Sequence, residues 1–316
     1  MSTRHSSSQR QRGAALLTAM IIVTLVTTLA AAMVWQQWRA VQIETAERAR
    51  AQAAWILSGA LDFAKLILRE DFKARPNYTA LTEPWATPLA ESRLSTFLAV
   101  DKANADDGPE AFLSGNITDA QARYNLTNLI TADKKVDLLE LATLERLCQT
   151  VGIETGIAKR IATGLLEASV GTGAGAPLKP ANVAQLTWLG VDAASVQALT
   201  PYVVVLPVIT NINVNTASPE VLTAVIKGID PATAEHLLQV RQRTPFRTMK
   251  EFTDQIPALV PIAGKAEVRS SYFEVRGRLR LVDRVLVERS LLERKQGGQS
   301  TVLQRERIAG LEQVRG

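Results

Sequence analysis

Cysteine is nearly missing from this sequence: Cys148 is the sole one in 316 residues. No intrachain disulfide can form, and cysteine usage leaves the redox compartment open. Its setting, "LERLCQTV", is an apolar helical pattern in which a packed thiol is expected rather than a nucleophile. Histidine is almost as scarce. His5 lies in the N-terminal basic stretch and His236 is the other, with no Cys ligand near it. Neither a Cys/His metal cluster nor a Cys–His catalytic pair can be assembled from that set. There is no Gly-x-Ser-x-Gly elbow and no phosphate loop. Gly171, Gly173 and Ala176 in "GTGAGAPLKPAN" have a dinucleotide-binding spacing, but no strand precedes them and no Lys-Ser follows, so the stretch reads as a loop.

Acidic residues are missing from positions 1–13, where Arg4, Arg10 and Arg12 stand. Removing those three arginines from 36 basic side chains leaves a surplus of two over the 31 acidic ones. The net charge of +5 therefore belongs mostly to the N-terminus and argues only weakly for a polyanionic partner. With 47% hydrophobic and 21% charged residues the chain is expected to fold, and its length has room for two domains.

What is present, directly behind those arginines, is "GAALLTAMIIVTLVTTLAAAMVWQQW", residues 13–38, without a charge. As a helix, Ala14 to Trp35 reaches roughly 33 Å, a match to the ~30 Å hydrocarbon core of a bilayer. The arginines place the N-terminus in the cytoplasm by the positive-inside rule, and Trp35 and Trp38 supply interfacial aromatics on the far side. A cleavable signal peptide is the rival reading, with small residues at "AAAM", 30–33, although the run exceeds the usual signal core of about 7 to 15 residues. A plain membrane anchor is the other. From Gln36 to about Glu70 there is no Pro and one Gly, and Leu57, Leu61, Ala64 and Leu68 recur at helical spacing. The helix is expected to leave the membrane unbroken and become amphipathic.

This stretch resembles the N-terminal helix of type IV pilins and pseudopilins. The resemblance implies that a prepilin peptidase cuts between Gly13 and Ala14 and that Ala14 becomes an N-methylated terminus. One position departs from the pattern: the fifth mature residue, commonly a glutamate that neutralises a neighbour's terminal amine, is Thr18. A carboxylate in a lipid-facing helix costs about 2.5 to 3.5 kcal/mol on insertion scales and is kept only where it has a partner. A subunit without it fits a position with no neighbour above, and the type II secretion minor pseudopilin K characteristically lacks it. The plainer reading is that Thr18 returns a hydroxyl bond to the helix backbone.

Further segments carry the same resemblance. "ARYNLTNL", 122–129, is similar to the strand that begins the globular part of the K-type pseudopilins, "LTPYVVVLPVITNINVNTASPEVL", 199–222, to their internal segment, and "SSYFEVRGRLRL", 270–281, to their returning sheet. In the last, Phe273, Val275, Leu279 and Leu281 alternate with Glu274, Arg276, Arg278 and Arg280, the period of a strand with one buried face. "RVLVERSLLE", 284–293, is a second strand, with a hairpin at Val282 to Arg284 and a third run at 301–307. The basic face of Arg276, Arg278 and Arg280 could contact nucleic acid, but most such rows are solvated faces balanced by cross-strand acids, and Glu288 on the adjacent strand is a candidate partner.

From about Asp133 to Gly264 the signals are helical, with a weak internal repeat at 147–168 and 222–243, each a helix, a Gly-Ile-Glu/Asp turn and a helix. The second resembles the helix-hairpin-helix modules of membrane-anchored DNA-uptake receptors, which grip phosphates with backbone amides. Here the turn is Gly228-Ile229-Asp230, and Asp230 is expected to cap the helix starting at Pro231 and to repel phosphate. Ser218 is expected to cap the preceding helix.

The sequence therefore predicts an α+β, type IV pilin-like fold: a long N-terminal helix packed on a small antiparallel sheet, with an inserted all-α domain of helix-hairpin-helix or SAM-like repeats. The expected boundaries are a cleaved leader 1–13, a helix 14–70 spanning the membrane over 14–35, a first pilin-like part 71–132, the helical insert 133–264 and C-terminal strands 265–316. The K-type resemblance implies a non-enzymatic subunit anchored once in the inner membrane with its globular part periplasmic. It also implies a place at the pseudopilus tip with minor pseudopilins I and J, priming assembly for export of folded proteins. Contacts with the major pseudopilin, the assembly platform and the prepilin peptidase are implied as well. The alternative is a membrane-anchored periplasmic DNA-binding or uptake protein, against which Asp230 argues. No cofactor is assignable. Calcium is possible by family resemblance only, since "DKANADDGPE", 101–110, does not fit an EF-hand.

Overall fold

The structure is a computed structural model describing residues 8–94, 111–171, 175, 177–256, 265–281 and 284–308. It divides between Ile56 and Leu57 into two units. The first holds most of helix α1, Ser8–Ala74. Beyond Gly13 no Pro or Gly interrupts the helix there, and the threonines that would lower its propensity turn their hydroxyls back on it. Thr18, Thr24, Thr27 and Thr28 donate to carbonyls three or four residues earlier. Side chains from Ala14 to Thr45 are exposed, and up to Trp38 they carry no charge.

In the second unit the remaining turns of α1 carry Leu57, Leu61, Ala64 and Leu68, all buried. They face a five-stranded antiparallel sheet of β1 Leu89–Arg93, β2 Ala111–Asp119, β7 Tyr272–Leu281, β8 Arg284–Arg294 and β9 Ser300–Ile308, in that spatial order. The inward row of β7 is the alternating set, with Phe273, Val275 and Leu279 buried. Leu61, Ala64 and Leu68 pack with Trp85, Ile117, Phe273, Val275 and Leu292 in one cluster, and Trp85 meets Phe273 edge to face with ring centroids 5.4 Å apart. Each fully buried leucine there contributes about 1.5–3 kcal/mol.

The first strand of the sheet is not the one the sequence suggests. Tyr124–Asn125 forms β3, which pairs in parallel with β4, Val203–Val204, in a separate two-residue ladder. Two sheet strands, β1 and β2, precede the helical region instead. The inward positions of β2 include Ala111 and Gly115, which add little apolar bulk, so the strand lacks a strong alternation. The apolar positions of 124–129 belong to the helical core instead, where Tyr124, Leu126 and Leu129 are buried.

Between β2 and β7 the described chain forms α2 Leu138–Thr150, α3 Gly156–Val170, a 3-10 helix Val183–Leu189, α4 Ala193–Leu199, α5 Pro219–Val225, α6 Pro231–Arg243 and α7 Met249–Thr253. Strand β5, Ile212–Asn213, pairs in parallel with β6, Ala266–Glu267. Helix starts are set by side-chain caps: Asp137, Asn182, Asp192, Ser218, Asp230 and Thr248 each accept a bond from a first-turn amide. Leu144, Leu147, Ile161, Leu186, Leu222 and Phe252 are among the residues fully buried in one core, and Arg146 Nε donates to the Ala224 carbonyl at 2.9 Å, tying α2 to the end of α5.

Candidate functional site

Gly13 and Ala14 lie inside α1. Arg4 and the acid-rich stretch 101–110 lie outside the described residues. The hydroxyl of Thr18 donates to the Ala14 carbonyl, the backbone bond of the plainer reading. Its one polar hydrogen is satisfied within the helix, as an apolar surrounding requires. Trp35 and Trp38 stand with ring centroids 5.5 Å apart, tilted by 32°. From Ala14 onward the helix is long and apolar enough to cross a bilayer, and the most apolar window has no buried residue.

The two segments of the internal repeat are each helix–turn–helix, with Gly152 at φ 74° and Gly228 at φ 97° in the turns. In the second, Ile229 is buried in the core, and Asp230 accepts from the Thr233 amide at 2.7 Å. Its bonds to Thr233 hold the Asp230 carboxyl below the usual carboxylate range. The first-turn amide a phosphate would need is taken by the protein's own carboxylate, and a second anion there meets like charge. In the first segment Glu154 stands where Asp230 does, and the helix N-cap falls one residue later at Thr155, which makes no side-chain cap bond.

The arginine row of β7 has partners, though not the expected one. Arg278 Nη1 is 3.3 Å and Arg280 Nε 2.6 Å from the carboxylate of Glu91 on β1, and the Arg280 guanidinium stacks 3.9 Å from the centroid of the Phe112 ring. Glu288 is opposite Gly277 in register and so lies on the helix-facing side, away from the row. It is buried and pairs with Arg305 of β9. The physical reason is the register: the inward face of β8 carries Glu288 and Ser290 between Leu286 and Leu292, so its sequence does not reveal which face is buried. On the arginine side Arg289 bonds Glu306 at 2.7 Å. The row is part of a mixed ladder.

The densest polar cluster lies where α1 ends, the sheet begins and the helical region departs and returns. Asp119, buried at the end of β2, accepts from Ser270 Oγ and Thr216 Oγ1, each at 2.6 Å, from Asn213 Nδ2 at 3.0 Å and from the Gln121 amide at 2.8 Å. Burial raises its pKa while the four donors oppose the rise. Asn213 also donates to the Thr79 carbonyl at 3.0 Å. Arg294 of β8 donates to Thr79 Oγ1 at 2.8 Å and to the Ser270 carbonyl at 3.0 Å. One network of short polar side chains thus joins the outgoing strand, both ends of the helical region and the returning strands. Elsewhere, burial pushes the Cys148 thiol up to about 11, which keeps it protonated and unreactive. Among the described residues no group of three His, Cys, Asp or Glu could hold a metal ion.

Residues 122–208 and 212–275 each match a family described as "Type II secretion system (T2SS), protein K". A type II secretion system protein K of Klebsiella pneumoniae is 31% identical over 283 residues, covering 80% of this chain and 81% of that protein. The chain belongs to the type II secretion system protein K family. The protein of the same description from Pseudomonas aeruginosa is 29% identical, covering 94% of this chain and 92% of its own length. In fold, the chain is similar to a crystal structure titled as the GspK-GspI-GspJ complex from the enterotoxigenic Escherichia coli type 2 secretion system. That likeness has a TM-score of 0.65 at 21% identity, over 84% of this chain and 99% of that one.

The two matched segments lie in the helical region and at its return to the sheet, and their junction falls beside Asn213, Asn215 and Thr216, all buried. These positions sit inside "ITNINVNTAS", a stretch whose run of short polar residues was the signal for the network. Asp71, Glu83 and Arg294 were missed altogether, since nothing in their local sequence distinguishes a buried charge from a solvated one.

Proposed function

We propose that this chain is a minor pseudopilin at the tip of a type II secretion pseudopilus, held by α1 in the inner membrane with its globular part periplasmic. The observation that carries the reading is α1 itself. It is one helix that is uncharged from Gly13 to Trp38 behind a basic leader, carries the Thr18 hydroxyl bond where most pilins place a carboxylate, and ends against a sheet. Family membership supports a role in secretion, and the related complex supports minor pseudopilins I and J as partners. The helical region adds bulk on one subunit, which suits a tip and not a repeating position. The role is structural: priming assembly and helping to push folded proteins through the outer membrane. The turn at Gly228, Ile229 and Asp230 is a packing element, and the fifth mature position, Thr18, needs no partner above.

The test is to isolate pseudopili from cells carrying the whole secretion system and quantify this chain against the major pseudopilin and the I- and J-type subunits. The reading expects a copy number equal to that of the I- and J-type subunits and far below that of the major one. Near-equal amounts of this chain and the major subunit would contradict it.

A further inference from the structure

Three charged side chains from three segments meet in the interior at the end of α1. Asp71 lies in the last turns of the helix, Glu83 precedes a 3-10 turn at Pro84–Ala86, and Arg294 ends β8; all are buried. The Arg294 guanidinium lies between two rings, 5.3 Å from the centroid of Phe72 and 4.6 Å from that of Phe273. Its Nη1 is 3.6 Å from Asp71 Oδ2, and its Nη2 holds Thr79 and Ser270. Trp85 Nε1 donates to Glu83 Oε2 at 2.6 Å. The two carboxyl groups are within hydrogen-bond reach of each other. Among the described residues, Asp71 Oδ2 and Glu83 Oε1 have no hydrogen-bond donor.

We propose that Asp71 and Glu83 share one proton between their carboxyl groups, and that losing it as pH rises loosens the clamp holding the end of α1 to Arg294 and the last hairpin.

Two ionised carboxylates offer four acceptors and no donor, so they hydrogen-bond each other only when one is protonated. Ionising both would set two negative charges against one buried guanidinium. Arg75, the other cation at this point, is half-exposed and reaches Asp71 Oδ1 only at 3.5 Å. Asp119 and Arg269 act on the cluster through Arg294, with opposite signs. Trp85 stabilises the charged form of Glu83, but burial outweighs it and pushes that carboxyl up to about 7, and burial raises Asp71 as well. Because the pair titrates together, the proton belongs to both. The raised value fixes the sign. Between the unfolded carboxyl range and about pH 7 the folded protein holds a proton that the unfolded chain has released. This contribution to stability is complete in acid and is lost as pH rises through about 7. Above that, a second negative charge pushes on the last turns of α1.

The test uses the full chain in detergent micelles, unfolded by urea between about pH 5 and about pH 8.5. One shared proton raises the unfolding equilibrium constant with pH, by at most about tenfold per unit. Glu83→Gln keeps an amide to face Asp71 and a carbonyl to accept from Trp85, so it is expected to flatten this slope. A Gln variant that keeps the wild-type slope overturns the proposal. Should that variant not fold, hydrogen exchange of the unmodified chain decides, after correction for intrinsic rates. Protection of segments 68–75 and 290–295 is expected to fall as pH rises, and corrected protection that stays constant overturns the proposal equally.

Discussion

Cδ2 of Leu57 on α1 stands 3.1 Å from the point where a Cβ on Gly277 of β7 would sit. Gly277 is also in register with Gly115 of β2, where a Cβ would come within 2.6 Å of the Arg276 carbonyl oxygen. The helix rests on the sheet at a place where the sheet has no side chain to offer. A larger residue at 277 must displace Leu57 or the helix. Gly277→Val is therefore expected to destabilise the globular unit by about 1–3 kcal/mol, the usual cost of overpacking. Urea denaturation of the purified chain measures it. Adding Leu57→Ala to the same variant should recover part of the loss, and strictly additive effects would show that the two positions do not meet.

The turn before α6 gives a prediction that separates protein packing from DNA binding. Asp230→Ala removes the cap on the Thr233 amide and is expected to lower the melting temperature without creating DNA affinity. The unmodified full chain in micelles should show little binding to duplex DNA at physiological salt. Micromolar binding with a steep negative salt dependence, abolished by substituting Gly228, would favour the uptake reading, because each neutralised phosphate releases counterions.

Thr18 leads to a third expectation. Thr18→Ala loses only a back-bonded hydroxyl and should leave membrane insertion and co-isolation with the I- and J-type subunits unchanged. Thr18→Glu places an unpartnered carboxylate in the apolar segment at about 2.5–3.5 kcal/mol on insertion scales, so the amount of inserted, co-isolated protein should fall. An increase of this chain in isolated pseudopili on Thr18→Glu would show that a neighbour above had been waiting for the charge.

How far these features were legible in the sequence depends on how local their causes are. The buried face of α1, from Leu57 to Leu68, is a period of three and four residues and can be read directly, as can the alternation in β7. Caps such as Ser218 and Asp230 are legible because the chemistry that starts a helix lies within three residues. Strand β2 was missed because Ala111 and Gly115 occupy inward positions, so its alternation is weak. Glu288 was assigned to the wrong face because strand register is a long-range property, and β8 buries a glutamate and a serine in its inward row. The carboxyl pair Asp71 and Glu83 is invisible for the same reason: its partner Arg294 lies more than two hundred residues away in sequence.

Whether α1 is a working filament helix or a disposable signal is decided by the mass of the mature N-terminus. Intact-mass and N-terminal peptide spectrometry of the chain recovered from membranes of a host with its prepilin peptidase should show a protein beginning at Ala14, with a methylated amine and the apolar segment retained. A mature chain beginning near Met33 would contradict the account.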